Sequence, residues 1–225
     1  MPSAALHLPD HVARAIWRGQ DLGRAHTVVR PSGHPALDAE LPDGGWPCQS
    51  AIDILQSHTA QAEWRLLAPS LRALIEQGGS VLLIGPPQEP GLLGLLQAGL
   101  PAERLLRIGA QTAAERLWAT EQALKTPCLS AVLCWLPQAL PAQVRRLQAC
   151  AAQHPGLLFL FRPLAAQGDP SAAPLRLRLS LGAWPHPLQV DILKRRGPAL
   201  DRPVILSHWP NGLMPLMTVP RTAPL

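Results

Sequence analysis

The chain has 225 residues, 47% of them hydrophobic and 16% charged, with a mean hydropathy of +0.08 and a formal net charge of +5. That length suits one α/β domain with short extensions, and the composition excludes a disordered chain. No run reaches the ~18 consecutive apolar residues of a transmembrane helix, and the opening MPSAALHLPDHVARAIWRG has no apolar stretch of signal-peptide length. Cys48, Cys128, Cys134 and Cys150 form no C-x-x-C, so neither zinc nor a disulfide framework is indicated; reduced cysteines in a cytoplasmic protein are expected. Charge is uneven: residues 1–141 carry ten Lys/Arg against twelve Asp/Glu, whereas residues 142–225 carry ten against three. The excess is nearly all arginine, which pairs with phosphates or carboxylates through two points.

In chain order, Asp10 caps a helix whose Val12, Ile16 and Trp17 share a face, with Trp17 suited to a core or to an interface. Residues 1–27 form this helix and its linker. Ala51–Leu55 then reads as a buried strand, followed by a turn and a helix from Ala62, which is the setting of a phosphate-binding loop. A working loop needs glycines for close backbone approach, Lys for phosphate charge and Ser/Thr for Mg²⁺. The corresponding positions hold Gln56, Gln61, Ala62 and Glu63, each a change that removes phosphate binding. The helix buries Leu67, Leu71, Leu74 and Ile75, with Pro69 expected to kink or restart it.

Strands follow at Val81–Ile84 and Leu105–Ile108, with a helix near Gly91–Ala98 between them. Thr112–Lys125 is helical by spacing, with Leu117, Trp118, Glu121 and Leu124 near one side; Ala131–Trp135 is a strand. Pro141–Gln153 is a helix with Arg145 and Arg146 outward, and Leu157–Phe161 another strand. Alternating strands and helices predict a mostly parallel sheet covered on both faces. From Leu175 the alternation LRLRLSL, with further strands at Leu188–Leu193 and Pro203–Leu206, predicts antiparallel C-terminal strands, with Arg176 and Arg178 on one face. Lys194, Arg195 and Arg196 crown a turn, a cluster that solvates a loop, meets a partner or contacts DNA phosphates. Residues 209–225 are Pro-rich and lack periodicity, which reads as a tail. His26, His34, His58, His186 and His208 show no metal spacing and read as surface or turn histidines.

Ser32-Gly33, Leu37-Asp38, Leu41, Gly44-Gly45 and Pro47 follow the run that precedes the phosphate loop in RecA-type recombinases. Within that superfamily the chain resembles the ImuA proteins, RecA-like accessory proteins of SOS-induced translesion synthesis grouped with the cell-division inhibitor SulA. The match is carried by LPDGGWP, Ile84-Gly85-Pro86-Pro87, LWATEQAL, AVLCWLP, Val144–Gln148, FLFRP, LRLRL and Lys194–Gly197. The resemblance implies a RecA-like domain over residues 28–208. It places Gly85-Pro86-Pro87 where RecA supplies its catalytic glutamate, and Cys134 where RecA has its metal-supporting aspartate. No catalytic residue, metal or cofactor is therefore expected, and the chain reads as a non-enzymatic adaptor. Implied partners are ImuB, a DnaE-type polymerase and RecA itself, met through Trp17, Arg145, Arg146, Lys194, Arg195 and Arg196; those cations could instead touch the DNA backbone. A SulA-like inhibitor acting on FtsZ is the alternative.

Overall fold

The computed structural model describes residues 28–57, 62–88, 91–181 and 188–206. Its centre is an eight-stranded sheet: β3 (Ala51–Gln56), β4 (Ser80–Ile84), β5 (Leu105–Ile108), β6 (Leu129–Trp135), β7 (Leu157–Pro163), β8 (Leu175–Leu181), β9 (Leu188–Lys194) and β10 (Val204–Leu206). In space the order is β10-β9-β8-β3-β7-β6-β4-β5. Every pairing from β8 to β5 is parallel, whereas β8–β9 and β9–β10 are antiparallel. The sheet is thus the mostly parallel one expected, with antiparallel strands at its C-terminal edge.

Side-chain alternation divides two cores. On one face Ile52, Ile54, Leu133, Phe159 and Leu177 pack beneath the helix α2 (Glu63–Glu76). On the other, Ala51, Ile84, Val132, Cys134 and Leu160 pack beneath α4 (Ala113–Leu124) and α5 (Pro141–Ala151). Thr112 opens α4 with a reciprocal capping box to Glu115, which satisfies two otherwise orphaned backbone N–H groups. A short helix α3 (Leu92–Gln97) links β4 to β5. Because these connections descend from the same sheet end, the termini of β3, β4 and β6 gather at one rim, where ligands of open α/β sheets bind.

The stretch before β3 is architectural. A two-residue pairing of β1 (Val29–Arg30) with β2 (Trp46–Pro47) and the helical turn α1 (Pro35–Asp38) fold it onto α2. Asp38 Oδ1 accepts from the Ser32 N–H at 2.9 Å, and the His34 ring Nε2 lies 3.0 Å from the Leu66 carbonyl oxygen. Buried Trp46 meets Phe159 edge-on at 5.4 Å. Gly33 is required: its φ is +80°, and a Cβ there would stand 2.4 Å from Pro69 Cβ.

Two expectations change. His34 is buried rather than on the surface, because α2 supplies its carbonyl partner. Of the kink or restart expected at Pro69, the restart does not occur, because α2 runs as one element through it. The cost of an interior proline, about 3 kcal/mol, is offset by burying one face of the helix, Leu66, Leu67, Leu71 and Leu74, in the core. The helix from Asp10 and the tail 209–225 lie outside the described residues.

Candidate functional site

At the rim, three positions that read as losses in the sequence form one hydrogen-bond network. Glu63 begins α2 and is 1% exposed. Its Oε1 accepts from Gln56 Nε2 at 2.6 Å, from the end of β3, and from Trp135 Nε1 at 3.0 Å, from the end of β6. Its Oε2 accepts from the backbone N–H of Ala62 at 3.1 Å. A helix N-terminus attracts an anion because its first N–H groups are unpaired and its dipole is positive. Here the anion is the chain's own carboxylate. Trp135 is held in turn by stacking on Phe161, with centroids 4.8 Å apart and planes at 27°.

Next to this network, Gly85 follows β4 with φ +59°, and a Cβ there would lie 2.6 Å from Arg116 Nε. Arg116, from α4, donates Nε to the Ala110 carbonyl at 3.0 Å and Nη1 to the Trp135 carbonyl at 2.8 Å. A guanidinium therefore lies over the position where the resemblance puts the catalytic glutamate. Cys134 faces the other way, buried beside Thr120, and burial pushes its thiol up to about 12. The residue of β6 that reaches the rim network is thus Trp135. Alternation along Leu129–Trp135 carries that signal, since Ala131, Leu133 and Trp135 share a face with Ile52, Ile54 and Gln56; nothing in the sequence singles out Arg116.

Of the remaining candidates, Arg145 is exposed on α5. Arg146 reaches α4, its Nε 2.6 Å from Glu121 Oε1 and its Nη2 2.6 Å from Oε2. Lys194 donates to the Ser171 carbonyl at 2.9 Å. Arg195 is held by Glu40 and by the Pro198 carbonyl, at 3.2 Å to Glu40 Oε2 and 2.7 Å to Pro198. Arg202 reaches the same carboxylate at 3.1 Å, and the two arginines, Arg202 foremost, hold the Glu40 carboxyl below its usual range. Arg196 is exposed at the turn. Trp17 and Gln61 lie outside the described residues.

Arg176 does not share a solvent face with Arg178. It is 8% exposed, its Nε 3.1 Å from Asp53 Oδ2 as an ion pair outside hydrogen-bond angles, while Arg162 Nη1 stands 3.4 Å from the same oxygen. Asp53 is itself fully buried in the middle of β3. Arg176 Nη1 also donates to the Gln167 and Asp169 carbonyls, both at 3.0 Å, in the 3-10 turn Leu164–Gly168 and just after it. That turn covers the end of the face on which the alternation puts Arg176. Arg178 pairs with Asp191 at 3.1 Å.

Fold and site together define an α/β domain with a mostly parallel sheet, in which an internal carboxylate fills the start of the helix after β3. The family model "Cell division inhibitor SulA" matches residues 52–157. SulA of Edwardsiella piscicida is 33% identical over 152 residues, covering 62% of this chain and 90% of that protein. SulA of Photorhabdus laumondii is 30% identical over 112 residues, 50% of this chain and 63% of that protein. ImuA of Caulobacter vibrioides is 30% identical over 141 residues, 59% of this chain and 57% of that protein. The chain belongs to the SulA family, in its ImuA/SulA-like group. Among the described residues no helix is long and apolar enough to cross a membrane.

Proposed function

We propose that the protein is a non-catalytic adaptor of SOS-induced, error-prone translesion synthesis, which presents a RecA-like surface to partners without nucleotide turnover. The observation that carries this reading is Glu63. A carboxylate joined to Gln56, Trp135 and the Ala62 N–H occupies the helix start where a phosphate would otherwise sit. By likeness to ImuA, its partners are ImuB, a DnaE-type polymerase and RecA, with Trp17, Arg145, Arg146, Lys194 and Arg196 as contacts and Arg195 shaping the turn that presents the last two. The strands β8 to β10 and the arm 28–47 lie outside the matched residues 52–157, which supports the longer core that this reading supposes.

A second reading, a cell-division inhibitor acting on FtsZ, is favoured by the 33% identity across 90% of the Edwardsiella SulA and has equal support from the relatives. Affinity capture of the tagged chain from damage-treated cells separates the two. The adaptor reading expects retained ImuB. Retained FtsZ, with loss of its polymerisation in light scattering, favours the second, and retention of neither overturns both.

A further inference from the structure

Between the C-terminal ends of α4 and α5 lies an open groove of about 580 Å³. Leu124, Pro127, Ala149 and Cys150 make its apolar surface, and Lys125 and Arg146 stand at its rim. Among the described residues no Asp or Glu lines it. The nearby carboxylate, Glu121, is spent on Arg146, whose Nε and Nη2 it holds from across the two helices. That pairing fixes the guanidinium in place while its side chain stays 71% exposed. Lys125 is exposed and makes a 3.4 Å contact to Gln122. Arg145, exposed on α5 and adjacent in sequence to Arg146, adds a third cation nearby.

We propose that this groove docks a short segment of a partner protein in which an apolar side chain is flanked by carboxylates. The apolar surface accepts the side chain, and the carboxylates meet Lys125 and Arg145, with Arg146 as a preset donor. Both helices end here, so their last carbonyls make the floor unfavourable to an anion and restrict the carboxylates to the rim. Nucleic acid fits less well. Among the described residues the lining offers no aromatic ring for a base to stack on. The inference does not depend on which cellular partner the protein serves, because the groove is tested on the purified chain.

The test is selection of phage-displayed random dodecapeptides on the full chain, with counter-selection on Ala149→Trp, an exposed position where the indole fills the groove. Enriched peptides are expected to place Leu, Phe or Met beside Asp or Glu. A synthetic winner should bind the natural chain in a salt-sensitive manner and bind Ala149→Trp and Lys125→Glu at least tenfold more weakly, while both variants melt with the natural chain. The proposal is overturned if no peptide distinguishes the natural chain from Ala149→Trp, or if winners bind both variants unchanged. It is equally overturned if the variants leave peptides unaffected but abolish binding of labelled single-stranded DNA, or alter self-association in sedimentation.

Discussion

The indole N–H of Trp135 donates to the carboxylate of Glu63 across 3.0 Å, linking the end of β6 to the start of α2. Gln56 meets the same oxygen at 2.6 Å, so replacing the carboxylate leaves two buried donors to satisfy. Glu63→Ala should lower stability by about 1–3 kcal/mol, the cost of unsatisfied buried groups. Glu63→Gln should cost less but still move the Trp135 indole resonance in a ¹H–¹⁵N spectrum. Guanidinium melts that coincide with the natural protein would show that the network contributes nothing.

Asp53 lies between Arg162 and Arg176 in the sheet interior, with Oδ2 3.4 and 3.1 Å from their nitrogens. Removing one partner of a buried ion group strands the others, at about 3–5 kcal/mol. Asp53→Ala is therefore expected to be the most destabilising single change outside the apolar core, read as lost soluble yield or a shifted denaturation midpoint. Asp53→Leu combined with Arg162→Met and Arg176→Met should recover much of the loss.

The strands were legible because their apolar runs are short, bounded and strongly patterned. Leu105–Ile108 has the bounds expected, and Ala51–Gln56 differs from expectation by one residue. The helix through Pro69 was less so, because tertiary burial outweighed a local penalty the sequence does show. Alternation in Leu175–Leu181 distinguishes two faces without telling which is wet; the turn Leu164–Gly168, far weaker in pattern, decides that and buries Arg176. At the rim the altered loop residues were visible one by one, but their joining through Trp135 is a long-range contact that no local pattern carries.

Cys134 is fully buried and its thiol is pushed up to about 12, whereas Cys128 is exposed. At pH 8 iodoacetamide should label Cys128 readily and Cys134 only after unfolding. Because the folded pKa is raised, the protonated thiol's contribution is full below about pH 9 and is lost as pH climbs toward the folded value. Rapid native labelling of Cys134, mapped by mass spectrometry, would contradict its placement.

Glu40 ties Arg195 and Arg202 to the arm before β3. Arg195→Ala should speed hydrogen exchange over residues 195–206. The lowered folded pKa of Glu40 means its contribution is present above the unfolded carboxylate pKa and fades as pH falls through the folded one. Exchange in this turn should therefore rise in acid once the intrinsic rate is corrected for pH, and Glu40→Gln should abolish that dependence.

The most direct measurement is a thermal melt of the purified chain against rising ATP with magnesium. A ligand that binds only the folded state at 100 times its Kd adds about 2.7 kcal/mol. With Glu63 filling the helix start, the melting temperature should stay flat through millimolar ATP, and calorimetric titration should show no saturable heat. A magnesium-dependent, saturable rise in melting temperature would mean that the carboxylate yields to phosphate, and would contradict the account.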